Sequence, residues 1–175
     1  MLIPSSKFKL QGFSLIELMV GIAVMAILFG IAMPSFKTML KNTQIRNAAE
    51  SVTNGLQMAR AEAVARNTKV NFVLGTGTSW TVNVVNSASN IESRASHEGS
   101  ADVTLTAVNA AATAATTVTF NSFGGVDAAN ADASAPIAKL DFTANGADKN
   151  LRVTIGLGGN ARMCDPNISS GTRAC

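Results

Sequence analysis

The sequence predicts an α+β fold in which one long N-terminal α-helix packs on a small antiparallel β-sheet domain. Two observations carry this prediction. Apolar residues recur with helical spacing from Phe13 to about Arg66, and beyond Asn67 they alternate with polar residues in short segments rich in Thr, Val, Asn and Gly. At 175 residues the chain has room for the helix and one modest domain, which we place at residues 68–175.

An apolar segment forms the first half of the predicted helix. Within residues 13–33, Glu17 is the one charged residue. These residues give about 32 Å of helix, enough to cross a hydrocarbon core of about 30 Å. We therefore predict that residues 13–33 span a membrane. A carboxylate in such a helix costs roughly 2.5–3.5 kcal/mol on insertion scales, so Glu17 is expected to have a partner and a function.

The segment before this helix is short and polar. Residues 1–12 contain Lys7 and Lys9, no acidic residue, and Gly12 at the end. An ordinary secretory signal is cut after its apolar core, whereas here the polar segment that ends in Gly12 precedes the apolar core, so a cut at this point would leave that core in the mature protein. Removal of both lysines lowers the formal net charge from +3 to +1, which gives no argument for nucleic-acid binding. The two lysines predict a cytoplasmic N-terminus, with the domain across the membrane.

The second half of the helix, residues 34–67, has one apolar face to bury. Pro34 should kink the helix, because proline lacks the backbone N–H and clashes with the preceding turn. Gly55 is expected to be a flexible point, since glycine is a poor helix former. The predicted apolar face consists of Phe36, Leu40, Ile45, Ala48, Ala49, Val52, Leu56, Ala59 and Ala63.

Period-two alternation predicts six strands after the helix. Residues 69–74 and 80–85 flank a glycine-containing stretch and predict a β-hairpin. The alanine-rich stretches 108–116 and 127–136 predict loops, and a short helix over 109–115 is an open alternative to the first. The remaining predicted strands are residues 103–108, 117–120, 140–143 and 151–155.

The sequence offers little for catalysis or for a metal. Cys164 and Cys175 are the two cysteines, and in an oxidising compartment we expect them to form a disulfide that contributes on the order of 3 kcal/mol. Zinc is a poor alternative, because a structural site needs four ligands and His97 is the single histidine. That histidine lies in a polar run, 93–100, which predicts a solvated loop without an orienting acid or nucleophile. We predict neither an enzyme nor a cofactor.

The stretch Gly12-Phe13-Ser14-Leu15-Ile16-Glu17 resembles the class III signal of type IV pilins and pseudopilins. The resemblance implies that a prepilin peptidase cuts between Gly12 and Phe13 and methylates the new N-terminus. It further implies a single span in the inner membrane, a periplasmic domain and incorporation into a pilus. Glu17 would pair with the Phe13 amine of an incoming subunit, and such a buried pair is costly to break. The alternatives are a signal anchor and an interfacial carboxylate without a special role.

Three later segments resemble the GspH/FimT family of minor pilins and pseudopilins: residues 59–70, 118–125 and 151–155. The C-terminal cysteines, with Met163-Cys164-Asp165-Pro166, are more similar to the pilus members than to the secretion members. We therefore expect a FimU-like minor pilin that helps to prime assembly at or near the pilus tip. The implied partners are other minor and major pilins, the prepilin peptidase, the inner-membrane assembly platform and lipid. A type II secretion pseudopilin is the alternative.

A second alternative is a FimT-like minor pilin that binds DNA for uptake. Lys149, Arg152 and Arg162 are the candidate phosphate contacts, against the simpler interpretation of a solvated surface. The DNA-uptake branch carries a Gly-Arg-x-Arg motif, and the matching residues here are Gly159-Asn160-Ala161-Arg162. Because asparagine replaces the first arginine, DNA is not the favoured partner.

Overall fold

The computed structural model describes residues 12–87, 89–96 and 98–175, so most of the leader (with Lys7 and Lys9) and His97 lie outside the described residues. The fold is α+β, as predicted, with one helix followed by eight strands in the described chain. The chain divides into two compact units, the first ending at Phe36 and the second comprising Lys37–Cys175. The elements are α1 (Leu15–Ala65), β1 (Val70–Leu74), β2 (Trp80–Val84), β3 (Asn90–Arg94), β4 (Val103–Val108), β5 (Thr117–Phe120), β6 (Lys139–Ala144), β7 (Leu151–Ile155) and β8 (Ala161–Cys164).

In the first unit, α1 begins after Ser14, whose hydroxyl oxygen accepts a hydrogen bond from the Glu17 backbone N–H at 3.2 Å. Serine at this position satisfies one of the free N–H groups of the first helical turn. The helix is long and apolar enough to cross a membrane, judged by length and composition. It continues through Pro34, and the expected kink there stays a prediction.

In the second unit, α1 buries one face, and this face begins at Ile45. Leu40, which the periodicity assigned to the buried face, is 47% exposed, and Phe36 in the first unit is 60% exposed, so both assignments were wrong. Close to this point Lys41 reaches the β-sheet domain, with its ammonium 2.6 Å from the Asp102 carboxylate.

Gly55 is a close-packing position, and the expectation of a flexible point was wrong. A Cβ at this residue would lie 2.8 Å from Cε2 of Phe72 and 3.1 Å from the Trp80 ring. The Trp80 indole N–H donates to the Ser51 hydroxyl at 2.9 Å, which fixes the ring against the helix. Glycine lets the helix approach the sheet closely.

The helix ends where the sequence predicts. Asn67 has a positive φ of 49°, and the Thr68 N–H bonds to the Ala63 carbonyl at 3.1 Å. This is the Schellman type of helix end, which asparagine tolerates better than most residues.

The strands form two antiparallel sheets, rather than the single sheet expected. Their orders are β3-β2-β1-β5 and β4-β6-β7-β8. All six predicted strands are present, and the β1–β2 hairpin closes with Leu74 opposite Trp80. Both alanine-rich stretches are loops, and the alternative helix over 109–115 is replaced by a bridge between Val108 and Ala114. The inner faces of both sheets and α1 share one core, whose largest fully buried side chains include Phe72, Phe120, Phe142, Ile45 and Leu56.

Two strands were missed by the sequence analysis. β3 lies at the edge of the first sheet. Ile91 is its one large apolar residue, so the strand has no alternation of apolar and polar residues. Its last two residues fall within the polar run 93–100 that was assigned to a loop. β8 is four residues long and lies at the edge of the second sheet. Edge strands need less apolar side chain than central ones, because one flank is open to solvent.

Candidate functional site

The residues predicted to act in processing and assembly lie just before α1 and in its first turn. Gly12, Phe13 and Glu17 are all exposed, and Phe13 is 86% exposed. Ser14 and Glu17 have the spacing of a capping box. Within the described chain the Glu17 carboxylate has no hydrogen bond or ion pair. It is therefore free to pair with a group from outside this chain.

The surface around Glu17 is apolar on all sides of the helix. Every Val, Ile, Leu, Met and Phe side chain from Phe13 to Leu40 is exposed. Soluble monomers rarely expose contiguous apolar patches larger than a few hundred Å², so this surface requires lipid or other helices. A carboxylate in such a medium needs a counter-charge.

Arg152, one of the predicted DNA contacts, is held by a carboxylate across the sheet. It lies on β7 opposite Asp141 of β6. Its Nε is 2.6 Å from Asp141 Oδ1 and its Nη2 is 2.9 Å from Oδ2. This two-pronged hydrogen bond raises the pKa of Arg152 and pairs its charge with a carboxylate, which weakens its attraction for a phosphate.

Arg162, the second predicted contact, faces the C-terminal tail. Its Nη2 donates to the carbonyls of Thr172 at 3.1 Å and Ala174 at 2.9 Å. The register places Arg162 opposite Thr154 and Arg152 opposite Cys164. Because paired and alternate residues share one face of a sheet, both arginines lie on the same face of the second sheet.

The two cysteines form the predicted disulfide. Cys164 and Cys175 are bonded, with their Cα atoms 5.1 Å apart.

Lys149, the third predicted DNA contact, is exposed in the connection between β6 and β7. The arginines are therefore engaged within the described chain, whereas Lys149 has no side-chain bond there.

The sequence matches two family models. One is the prokaryotic N-terminal methylation motif, over residues 8–33. The other is the type II transport protein GspH family, over residues 48–164, which is more than half of the chain. The chain belongs to the GspH family. It is thus a minor pilin or pseudopilin, and the family and fold are those of structural pilins rather than enzymes.

Solved structures of two such proteins share the fold. The type IV minor pilin FimU of Pseudomonas aeruginosa is 19% identical with a TM-score of 0.55, and the match covers 71% of this chain and 91% of FimU. The minor pseudopilin EpsH from the type 2 secretion system of Vibrio cholerae is 16% identical with a TM-score of 0.51, and the match covers 71% of this chain and 99% of EpsH. No curated protein matches the sequence.

Two exposed apolar side chains on this GspH-family domain were not predicted from the sequence. Phe123 is 92% exposed and Leu157 is 86% exposed. Their loops are joined by a hydrogen bond from the Val126 N–H to the Leu157 carbonyl at 2.9 Å. A Cβ at Gly159 would collide with the Gly124 carbonyl oxygen, so these loops pack through glycine backbone. The glycine pairs at 124–125 and 158–159 are the signal that could have indicated this packing.

Proposed function

We propose that this GspH-family chain is a minor pilin of a type IV pilus that helps to prime pilus assembly and lies at or near the tip. The observation that carries the proposal is the exposed apolar helix from Phe13 to Leu40, which contains Glu17. Such a helix has to be covered by lipid before assembly and by neighbouring helices afterwards. The methylation motif over residues 8–33 supports processing ahead of that helix.

In this proposal the leader is cut between Gly12 and Phe13, which creates a new α-amino group. Glu17 of a subunit in the filament then pairs with the amine of an incoming subunit. The unpaired Glu17 carboxylate of the described chain supports this pairing. In a low-dielectric medium either charge alone would be costly, so the pair sets the register of the incoming helix.

The substitution Glu17→Ala tests this role, with Glu50→Ala as the matched control. Glu50 is a second exposed glutamate of α1, paired with Arg46 at 2.7 Å. We expect Glu17→Ala to be cleaved and methylated normally, as measured by mass spectrometry of the N-terminal peptide. It should be depleted at least about tenfold from sheared pili, because one charge would remain buried without a partner. Normal incorporation of Glu17→Ala, or an equal loss with Glu50→Ala, would contradict the assembly role.

The proposed topology is a single span at residues 13–33 in the inner membrane, with residues 68–175 in the periplasm. The disulfide between Cys164 and Cys175 supports an oxidising compartment. Protease treatment of spheroplasts tests the topology. Residues 68–175 should be degraded without lysis, and their protection in intact spheroplasts would reverse the orientation.

A pilus rather than a secretion apparatus is favoured by the C-terminal cysteine pair. The assignment is tested by deleting the gene and counting surface pili alongside the amount of secreted protein. Loss of pili with normal secretion is the expected result. Normal pili with impaired secretion would instead assign the chain to a type II secretion pseudopilus. Co-purification of other minor pilins, the major pilin and the assembly platform would identify the proposed partners.

DNA binding remains a weaker candidate function. Arg152 is paired with Asp141, and Arg162 with carbonyls of the tail, so two of the three candidate contacts are engaged. A gel shift at low salt, with and without Arg162→Ala, decides between the candidates. Because phosphate contacts strengthen as salt is lowered, the absence of a shift at low salt would remove DNA uptake. A shift that is lost in the variant would favour it.

A further inference from the structure

The C-terminal loop is held by a side chain that lies outside it. We infer that Arg162 is the positioning residue for closure of the disulfide between Cys164 and Cys175. Both hydrogen bonds of its Nη2 go to the tail, at 3.1 Å to the Thr172 carbonyl and 2.9 Å to the Ala174 carbonyl. Ala174 directly precedes Cys175, so one of these hydrogen bonds is made to the residue next to the cysteine.

The geometry of β8 places the Arg162 side chain on the same face as Cys164. Arg162 and Cys164 are two residues apart on β8, so their side chains leave the same face of the strand. The tail that returns to Cys164 therefore passes over the guanidinium. Cys164 itself is 3% exposed, which leaves the tail to bring Cys175 to it.

Backbone contacts complete the arrangement without involving the sulfur atoms. The Asp165 N–H donates to the Arg173 carbonyl at 2.7 Å, and Asp165 forms a parallel bridge with Ala174. The Arg173 side chain, by contrast, has no hydrogen bond or ion pair within the described residues. Arg173 therefore contributes only its backbone carbonyl to the tail contacts, whereas Arg162 contributes its side chain.

The guanidinium suits this role because it stays charged at every physiological pH and offers several N–H donors. When both cysteines are reduced, its hydrogen bonds can still hold Ala174 beside β8. The Cys175 thiol is then confined near Cys164, and less loop entropy remains to be lost when the bond forms. Arg162 acts through the backbone and does not contact the reacting sulfurs.

Closure itself is ordinary thiol–disulfide exchange with a small disulfide such as oxidised glutathione. One cysteine thiolate attacks the small disulfide and releases one small thiol, and the other cysteine then attacks the mixed disulfide and releases the second. The two cysteine thiols lose two electrons and two protons in total, and the small disulfide gains them. This role extends beyond the proposed pilus function, since it concerns maturation of the domain whichever filament it joins.

The test is the equilibrium of the full chain, in detergent micelles, with mixtures of reduced and oxidised glutathione. Free thiols are trapped with a maleimide-polyethylene glycol and counted by gel shift. We expect Arg162→Ala to lower the effective concentration of the two thiols about tenfold, because two charge-assisted hydrogen bonds are lost. Arg173→Ala removes a charge from the same loop and should stay within about twofold of wild type, since that side chain holds nothing.

Arg162→Gln provides a variant that keeps an amide donor without the charge, and we expect it to lose about threefold. Far-UV circular dichroism of each reduced variant checks that the domain is folded. An effective concentration for Arg162→Ala within twofold of wild type would overturn the inference. An equal decrease of the effective concentration in Arg173→Ala would also overturn it, because the effect would then come from loop charge. If Arg162→Ala does not fold, a wild-type effective concentration for Arg162→Gln would overturn it instead.

Discussion

The two compact units of this chain differ in the exposure of their apolar side chains. In the first unit every large apolar side chain from Phe13 to Phe36 is exposed, whereas in the second unit the helix buries an alanine-rich face from Ile45 onward against the β-sheet domain. The second unit, Lys37–Cys175, contains the whole buried core of the described chain. The first unit thus leaves its apolar side chains exposed, and the second packs its own into a core.

The comparison predicts that core truncations act only in the second unit. Leu56→Ala should lower the free energy of unfolding by about 2–5 kcal/mol, because a fully buried leucine leaves a cavity. Leu28→Ala, at a side chain that is 59% exposed, should leave it unchanged. Fluorescence of Trp80, the single tryptophan, follows unfolding of the second unit. An equal effect of the two substitutions would contradict this prediction.

The disulfide should stabilise the second unit by about 2–3 kcal/mol, since it restricts the unfolded chain. Reduction with dithiothreitol is expected to lower the free energy of unfolding by that amount, which is measured as a lower urea midpoint of Trp80 fluorescence. The double variant Cys164→Ser, Cys175→Ser is the control, and dithiothreitol should not change its midpoint. A wild-type midpoint that is unaffected by reduction would contradict the prediction.

Two glycine substitutions in α1 are expected to differ in their effect on the free energy of unfolding. Gly55→Ala adds a Cβ 2.8 Å from the Phe72 ring, so we expect a net loss of about 1–2 kcal/mol in spite of the better helix propensity of alanine. Gly21→Ala meets no atom within 4 Å and should not affect unfolding of the second unit. Urea titrations of both variants give the comparison. Stabilisation by Gly55→Ala would show that the rings move aside at no cost.

The smallest expected effect is at the start of the packed helix. Lys41 donates a hydrogen bond to Asp102 and holds the pKa of that carboxyl below its ordinary value of 3.8. A lowered carboxyl pKa contributes stability above pH 3.8, and this contribution disappears as the pH falls through the folded-state pKa. Lys41→Ala should therefore lower the urea midpoint slightly near neutral pH, and by less at an acidic pH below 3.8.

Lys37→Ala is the matched control for this pH dependence. Lys37 is exposed one turn earlier in the helix, and within the described chain its side chain has no ion pair. It should leave the midpoint unchanged at both pH values. An equal decrease with Lys37→Ala would show that net charge, rather than the contact with Asp102, is responsible.

Local pattern was sufficient for much of the fold. The end of α1 near Asn67, the six strands with alternating residues and the disulfide were all predicted, and all are present. β3 and β8 were not, because their residues do not alternate over a useful length. The split into two sheets was also missed, since strand pairing depends on contacts between residues far apart in the chain.

The candidate sites divide in the same manner. The sequence predicts roles for Gly12, Phe13 and Glu17 from adjacent residues, because a carboxylate is unexpected in an apolar helix. The partners of Arg152 and Arg162 could not be predicted. Asp141 faces Arg152 through the register of β6 and β7, and Arg162 meets the carbonyls of a returning tail. Neither contact leaves a signature in the neighbouring sequence.

The sequence alone determined that this GspH-family chain combines a membrane-length apolar helix, one carboxylate near its start, a β-rich domain and a cysteine pair. These properties follow from periodicity and from the cost of charge in hydrocarbon, which are local. Only the tertiary structure decided that Leu40 is exposed, that Gly55 admits two aromatic rings and that Arg162 holds the tail. Each of these depends on which distant residue the fold brings within a few ångströms, and no local pattern contains that information.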